Sequence, residues 1–393
     1  MTTPRTYLLS PIDAWFFRDG RPYNQKETNQ TDVVSLFPPP ASTVVGAIRA
    51  GLARANGWTS GKTWPQTLNA VLGDGFDELG MLRFGGPFLA KSSSDGQVQV
   101  RFPMPLHLLG RTAKHDEPDA NGWQPLCMLT PGDEVPCDLG HVRLPVRDRQ
   151  VENGAKEPTN QWVTSAGLQV ILSGQLPPDK EILPATKFWA QESRVGLQRG
   201  EATRTVGEGD LYSPRFVRLH PGVSLVMRVT GLPDEFHPPP SLFPFGGENR
   251  LADCSLTTDW TLPTPPSLVA DSGGAVRFTV TLLTPLMLPM ESDGTVRQPT
   301  VGQSLPGLPD SKIVSACVGK SQSIGGWDST KNKPLPLRPV LPAGSTWFCE
   351  CGRGSWPTVL DLHGRHIGDK TSFGYGQIVL GQWHDSLARR SAS

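Results

Sequence analysis

The 393-residue sequence lacks an excess of charge of either sign. Its 37 Lys and Arg residues are balanced by 37 Asp and Glu residues, so no general positive field draws the protein onto nucleic acid. It also lacks an apolar run near the roughly 18 residues needed to span a bilayer, and its first 20 residues hold no apolar core of signal length. We therefore expect a cytoplasmic protein with no membrane partner, on which any nucleic-acid contact is local.

The sequence motifs of common enzymes and metal sites are missing as well. There is no GxSxG, HExxH or GxGxxG element, and the six cysteines include no Cys-x-x-Cys pair. They also lack the density of a disulfide scaffold, so we expect reduced thiols. The sequence predicts no metal, no cofactor and no catalytic residue.

Two chemical alternatives stay open at this point. Cys349 and Cys351, with His363 and His366 downstream, have the residue types of a zinc site, although Cys-x-Cys on a strand also places two small apolar residues on one face. Scattered histidines could serve metal-independent RNA cleavage as general acid and base. They are His107, His220, His363 and His366.

Glycine and proline are abundant, at 42 and 39 residues, which is typical of a loop-rich body of short strands. The length exceeds one ordinary hydrophobic core and favours two domains. Residues 261–275 are rich in Pro, Ser and Gly without periodicity, and are the best linker candidate. We therefore expect an α+β protein with domains at 1–262 and 263–393.

Local patterns predict several elements. A first helix should follow the three prolines before Ala41, with Ser42 or Thr43 as its cap and Gly57 near its end. The composition of residues 179–192 is compatible with a second helix. Residues 211–219 and 223–230 are β-type runs joined at His-Pro-Gly, which predicts a hairpin.

The C-terminal glycine-rich loop is the first candidate for binding RNA. Its glycines allow backbone N–H groups to point at phosphate or ribose oxygens, and Lys370, Thr371 and Ser372 add a cation and two hydroxyls. Phe373 and Tyr375 could stack on bases or pack inward. An ordinary glycine-rich turn before a strand is the structural alternative.

Two further segments could contact RNA. The predicted helix start carries unsatisfied N–H groups at Ser42 and Thr43, and Arg49 two turns on could reinforce a phosphate site, although plain capping explains the same pattern. Arg194 and Arg199 lie in an arginine-rich stretch whose guanidinium groups could bind phosphate. Acidic neighbours could instead pair with these arginines. They are Glu192, Glu201, Glu208 and Asp210.

Six fragments, in order, carry a family resemblance. They are PIDAWFFRDGRPY, FPPPASTVVGAIR, SRVGLQRGEATRTVGEGDLY, FPFGGENR, SIGGWD with LPAGSTWF, and SFGYGQ. Together they make the chain similar to the third subunits of the type III-B CRISPR effector, the Cmr complex, within the RAMP superfamily. The resemblance covers nearly the whole chain.

This resemblance implies two ferredoxin-like (RRM-like) domains with long insertions and the glycine-rich loop of the superfamily near the C-terminus. It implies a non-catalytic role in antiviral defence, binding the 5′ tag of the guide crRNA and bridging the large palm-domain subunit to the backbone RAMP subunit of the filament. We expect Ser42, Arg194 and Lys370 to line one groove along the tag. A guide-processing endoribonuclease and a structural bridge without RNA contact are the alternatives.

Overall fold

The structure, a computed structural model, describes residues 3–18, 32–59, 64–93, 96–112, 122–138, 140–151, 154–199, 206–328 and 333–383. For residues 32, 33, 196–199 and 206–212 it describes the backbone alone. Within these ranges no helix has both the length and the apolar character that crossing a membrane requires.

Helices are few and short. They are α1 (Ala41–Ala55), α2 (Gln66–Leu72), α3 (Ser165–Leu172) and α4 (Trp356–Leu360), with single 3-10 turns at Asp179–Glu181, Ala185–Lys187 and Thr371–Phe373. The strands are β1 (Arg5–Pro11), β2 (Asp32–Val34), β3 (Arg83–Ser92), β4 (Val98–Pro103), β5 (Leu108–Thr112), β6 (Trp123–Cys137), β7 (Gly140–Arg147), β8 (Gln161–Thr164), β9 (Ile182–Pro184), β10 (Trp189–Ser193), β11 (Gly196–Arg199), β12 (Val206–Leu219), β13 (Val223–Thr230), β14 (Leu242–Pro244), β15 (Leu251–Thr257), β16 (Ala275–Leu282), β17 (Leu286–Met287), β18 (Ser311–Cys317), β19 (Gln322–Ile324), β20 (Trp327–Asp328), β21 (Lys333–Pro334), β22 (Arg338–Leu341), β23 (Thr346–Gly352) and β24 (Ile378–Gln382).

The expected α+β class is confirmed in its coarse form, because antiparallel sheets dominate and helices are few. The chain folds into two compact units, each built from several segments. One comprises the described residues of Met1–Val98, Thr186–Asp259 and Ser323–Arg338, and the other those of Gln99–Ala185, Trp260–Gln322 and Pro339–Ser393. The division at 262 and 263 stays a prediction, because these units are defined by contact and are discontinuous in sequence.

The first unit is centred on neighbouring strands in the order β15-β1-β13-β3, all antiparallel, with β14 on the outer side of β15. Helix α1 packs against β3. A second sheet of the same unit has the order β10-β12-β11, and β2 pairs in parallel with β12. Buried apolar side chains such as Leu9, Leu225 and Val229 fill the main sheet's core.

The second unit is centred on the order β18-β23-β16-β24, again antiparallel. Its core consists of alternate residues of these strands, among them Phe278, Val280, Trp347 and Leu380. The long hairpin β6–β7 and the pair β5–β6 belong to the same unit, as do β4, β8 and β9. Alternation of buried and exposed residues along β18 shows why the sheet has one face in this core.

Helix α1 begins two residues earlier than a Ser42 cap allows and three residues earlier than a Thr43 cap allows. Its N-cap is Pro40, with φ −55° and ψ 141°, and no side chain caps the helix. The expectation of a Ser42 or Thr43 cap was therefore wrong. Since proline fixes an extended backbone next to Ala41 and has no N–H to lose, the helix starts directly after it, and Ser42 and Thr43 lie in the first turn.

Two other local predictions were also wrong. Residues 179–192 form two 3-10 turns and the strands β9 and β10 rather than a helix, because Pro184 interrupts the segment and β10 pairs with β12. The His-Pro-Gly turn exists, with the Val223 N–H donating to His220. However, β12 and β13 are not a hairpin: β12 pairs with β10, β11 and β2, whereas β13 lies between β1 and β3.

Arg49 is part of the core of the first unit rather than a surface cation. Only 6% of it is exposed, and its guanidinium donates to the carbonyls of Leu72 (2.9 Å from Nε), Gly75 (3.1 Å) and Glu78 (2.8 Å). Burial lowers the pKa of Arg49 to about 10. The side chain therefore ties α1 to the loop after α2.

We predict that Arg49→Ala destabilises the protein by about 2–4 kcal/mol, because it leaves three buried carbonyls without their donor. The matched control is Arg54→Ala on the same helix, a half-buried arginine over the Trp58 ring, expected to cost less than about 1 kcal/mol. Urea unfolding of both variants measures the difference. Equal losses would contradict the structural role of Arg49.

Candidate functional site

Asp13 organises a cluster of charged side chains in the first unit. Its carboxylate accepts hydrogen bonds from Arg194 (2.8 Å), Arg218 (2.7 Å) and Arg250 (3.1 Å). Glu192 is the second acceptor, bound by Arg194 Nε at 2.7 Å and by Arg218 Nε. We call these five residues the Asp13 cluster.

Hydrogen bonds within the Asp13 cluster stabilise the charged forms of Asp13, Glu192, Arg194 and Arg218. Hydrogen bonds from Arg194 and Arg218 lower the pKa of Asp13 to about 2, and the Arg218 bond also lowers the pKa of Glu192. The same contacts raise the pKa values of Arg194 and Arg218. With three guanidinium groups and two carboxylates, the cluster keeps one excess positive charge.

The Phe216 ring packs against two guanidinium groups of the Asp13 cluster. The guanidinium carbon of Arg250 lies 4.5 Å from the ring centroid of Phe216 and that of Arg194 lies 4.8 Å from it, within the range of a cation–π contact. Phe16 also packs on this ring, with centroids 5.3 Å apart. The guanidinium groups are thus held by stacking as well as by hydrogen bonds.

Neighbouring aromatic side chains explain why distant segments meet here. Trp15 packs edge-on against Phe245 at 4.9 Å, and Phe17 contacts Phe245 at 5.1 Å. Phe37 in turn contacts Phe17 and Trp189. Gly246, at φ +83°, lets the chain pass so closely that a Cβ there would lie 2.6 Å from the Phe16 carbonyl oxygen. Three of the six fragments therefore meet through these contacts.

The start of α1 belongs to this same region. Phe37, which contacts Trp189, lies just before the helix, and the Ser35 N–H donates to Arg215 on β12. Ser42 and Thr43 are half-buried in the first turn. Arg49 is not available to them as a phosphate ligand, since its guanidinium is buried against the loop after α2. That part of the expectation is corrected.

The two arginines predicted to contact RNA, Arg194 and Arg199, differ in what the structure describes of them. The side chain of Arg194 is 31% exposed and is paired with Asp13 and Glu192. At this residue the structure therefore shows pairing with acidic side chains. Arg199 ends β11, which pairs with β12 to form a hairpin. The side chain of Arg199 lies outside the described residues.

The C-terminal loop lies in the second unit and has a mixed character. Phe373 and Tyr375 are 2% and 1% exposed, so their rings belong to the core and are not available for stacking on bases. Gly376, at φ +70°, is required by packing, because a Cβ there would lie 2.0 Å from the Ile367 carbonyl oxygen. Much of the glycine content is therefore structural.

The outer turn of this loop remains polar and accessible. Lys370 adopts a left-handed conformation at φ 53°, and its N–H donates to Asp369 (2.8 Å) while its ammonium lies 5.6 Å from the Phe373 ring centroid. Thr371 and Ser372 follow, both half-buried. Within the described chain, neither their N–H groups nor their hydroxyls have a hydrogen-bond partner. Such successive N–H groups form an anion-binding concavity.

Two histidines and two cysteines of the zinc and nuclease alternatives have structural surroundings in the second unit. His363 uses both ring nitrogens, accepting from the Leu380 N–H at Nδ1 and donating to the Pro263 carbonyl at Nε2. Burial lowers the pKa of His366 to about 4 and raises those of Cys349 and Cys351. In the described ranges no group of three or more His, Cys, Asp or Glu side chains is placed to hold a metal.

The structure brings together Ser42, Thr43 and Arg194 in the first unit, while Lys370, Thr371 and Ser372 belong to the second. The shared groove therefore stays a prediction. Sequence reasoning missed Asp13, Arg218 and Arg250 as members of one cluster. Asp13 and Arg250 nevertheless lie inside the fragments PIDAWFFRDGRPY and FPFGGENR, which was the available signal.

We predict that Asp13→Asn makes the stability of the protein less dependent on pH in acid. Because the pKa of Asp13 is lowered to about 2 in the folded protein, its contribution is present above the unfolded value and is lost as pH falls from about 4 towards 2. Urea midpoints measured across that range should fall less in Asp13→Asn than in wild type. Asp253→Asn, an exposed carboxylate on β15, is the control and should keep the wild-type slope.

Comparison with known proteins identifies the family. The family model described as CRISPR-associated protein (Cas_Cmr3) matches residues 7–383. No curated protein matches the sequence. The chain is similar to a chain of a solved type III-B Cmr-beta complex bound to cognate target RNA, with 16% identity and a TM-score of 0.49 over 95% of this chain and 96% of that chain. It is also similar to a chain of a Cmr-beta complex bound to cognate target RNA and AMPPnP, with 15% identity and a TM-score of 0.46 over 99% of this chain and 92% of that chain.

A chain of the Csm3-Csm4 subcomplex of the type III-A CRISPR-Cas interference complex is 10% identical, with a TM-score of 0.37, covering 97% of this chain and 100% of that chain. Because the family model spans nearly the whole sequence, the affiliation expected from the six fragments is confirmed. The chain belongs to the Cas_Cmr3 family of CRISPR-associated proteins.

Proposed function

We propose that the chain is a non-catalytic subunit of a type III-B CRISPR ribonucleoprotein effector. In that assembly it binds the 5′ tag of the guide crRNA and bridges the large palm-domain subunit to the backbone RAMP subunit. The observation that carries the proposal is the family match over residues 7–383. The contacts described above then guide our choice of RNA-binding residues.

The proposal includes two ferredoxin-like domains, and the strand orders support it. In a ferredoxin-like βαββαβ domain, the antiparallel strands have the spatial order 4-1-3-2. Numbered along the chain, β15-β1-β13-β3 is 4-1-3-2, and β24-β16-β23-β18 is the same order. Helices α1 and α2 lie between the first two strands of one set, and α4 lies between the last two strands of the other.

The tag contacts are assigned to groups that bind backbone rather than sequence. The open N–H groups and hydroxyls of Thr371 and Ser372, next to Lys370, suit a phosphate or a 2′-hydroxyl. The first turn of α1 adds the polar side chains of Ser42 and Thr43, whereas the Thr43 N–H already donates to the Pro40 carbonyl (3.0 Å). Backbone contacts of this kind leave the targeting portion of the guide free to pair.

Arg194 lies just before the β11–β12 hairpin and Arg199 lies within it, and we assign both residues to phosphate contacts. The Asp13 cluster holds Arg194 in one orientation and keeps one excess positive charge, so an RNA phosphate can add to the cluster without displacing Glu192. Arg199 is the last residue of β11. We propose that it extends the same phosphate contacts along the hairpin.

A structural bridge without RNA contact is the second candidate. Balanced charge and the pairing of Arg194 with two carboxylates favour it. Its distinguishing property is assembly with the neighbouring subunits at full affinity in the absence of guide.

We predict that Arg194→Ala, Arg199→Ala and Lys370→Ala together weaken guide retention and reduce the salt slope by roughly one for each lost phosphate contact. The matched control replaces three exposed cations of the second unit, Lys312, Lys320 and Arg353, with alanine. Crosslinking to the tag and salt titration on the assembled effector measure both triple variants. Unchanged crosslinking in the first triple would favour the structural bridge.

We predict also that the purified chain leaves labelled repeat RNA intact, with or without divalent metal. The ring nitrogens of His363 are both engaged, and His366 is largely uncharged because its pKa is about 4, so neither has the properties of a general acid near neutral pH. Cleavage that disappears in His363→Ala or His366→Ala would instead establish a guide-processing endoribonuclease.

A further inference from the structure

A cleft of about 640 Å³ opens in the second unit, between the β6–β7 hairpin and the main sheet. Its volume lies in the range of small-molecule sites. Apart from Phe348, the lining residues fall outside the six fragments that carry the family resemblance. The groups used below are His107, Thr279, Gln382, Phe348, Trp383 and Arg147, all of which line it.

His107 lines the cleft and is almost entirely buried, with 2% of it exposed. Its Nδ1 bonds the Thr346 hydroxyl at 3.2 Å, and its ring stands edge-on to Phe348 at 6.0 Å. Within the described chain, Nε2 has no partner. Burial lowers the pKa of His107 to about 4. A neutral imidazole in a fixed orientation therefore offers one nitrogen to a ligand.

Two further polar side chains at the cleft have no partner in the described ranges. The Thr279 hydroxyl belongs to a residue that is 3% exposed, and the Gln382 amide is half-buried on the neighbouring strand β24. A ligand carrying both donors and acceptors would satisfy all three.

The remaining wall is apolar and stiff. Phe348 and Trp383 are 1% and 6% exposed and contact each other edge-on at 5.9 Å. Trp383 is fixed further by its indole N–H, which donates to the Cys349 carbonyl at 3.2 Å. A flat ring with polar edges matches such a cleft better than an aliphatic chain, because the three polar groups need partners in fixed directions.

Four charged residues line the cleft, namely Asp133, Arg147, Asp148 and Arg149, and Asp133 has interactions of its own. Arg149 is neutralised by Asp148 at 2.7 Å, and that carboxylate also accepts the Met128 N–H. Arg147, exposed at the end of β7, has no carboxylate partner among the described residues. An anionic group of the ligand would therefore lie at Arg147.

We propose that this cleft binds one ribonucleotide, with its heteroaromatic base against His107, Thr279 and Gln382 and its phosphate on Arg147. The nucleotide is either a splayed residue of bound RNA, in which case the inference rests on the proposed function, or a free ribonucleoside 5′-monophosphate. Both sources present the same base and phosphate.

The test uses calorimetry on the full chain with each of the four ribonucleoside 5′-monophosphates, the corresponding uncharged nucleosides, and a short single-stranded RNA as competitor. Arg147→Ala should weaken monophosphate binding roughly tenfold and leave nucleoside binding unchanged. Gln150→Trp, which fills the mouth at an exposed lining position, should abolish both. Arg353→Ala, an exposed arginine that does not line the cleft, is the matched control.

Competition by the RNA, with the Arg147 dependence shared, would support the proposal and assign the site to an RNA residue. Arg147-dependent monophosphate binding without competition would support it with a free nucleotide as ligand. Absence of monophosphate binding at millimolar concentration, or equal binding by wild type and Arg147→Ala, would overturn it. Guide retention in the assembled effector would be untouched by that failure, so the two proposals fail separately. Thermal unfolding confirms that each variant is folded.

Discussion

The arrangement of the first unit depends on the carboxylate of Asp13, which joins arginines from three distant parts of the chain. Its two oxygens bind Arg218 through one and Arg194 and Arg250 through the other. Ion pairs of this exposure contribute little each. Their value lies in direction, because Arg194 and Arg218 are each fixed by two carboxylates, and Arg194 and Arg250 also lie against the Phe216 ring. The base of the β11–β12 hairpin is thereby held in one orientation.

The sequence predicted the class and order of the fold better than the role of single residues. The abundance of glycine and proline and the six fragments were sufficient for an α+β protein of the correct family. Local propensity failed where long-range pairing decided the outcome, as at residues 182–193, which pair with β8 and β12. The N-cap at Pro40, two residues before Ser42, likewise replaced the expected cap. Such effects depend on contacts that no local window contains.

Site residues were harder to predict because the same residue types serve opposite purposes. Arg49, Arg194 and Lys370 are all cations in conspicuous fragments, yet one supports a buried loop, one is paired with carboxylates and one lies on an accessible turn. The aromatic pair Phe373 and Tyr375 belongs to the core. What separates these cases is burial and the presence of acceptors from other segments. Neither quantity can be obtained from spacing alone.

The balanced net charge makes these differences important for function. With no general positive field, attraction to RNA depends on places where cations or N–H groups exceed their acceptors. The outer turn at Thr371 and Ser372 provides open N–H groups, and the Asp13 cluster provides one excess charge. Contacts of this kind are short-ranged and screened within about 8 Å at physiological salt. Under the proposed function, such a chain would hold RNA that an assembly delivers to it and would gain little from searching for RNA on its own.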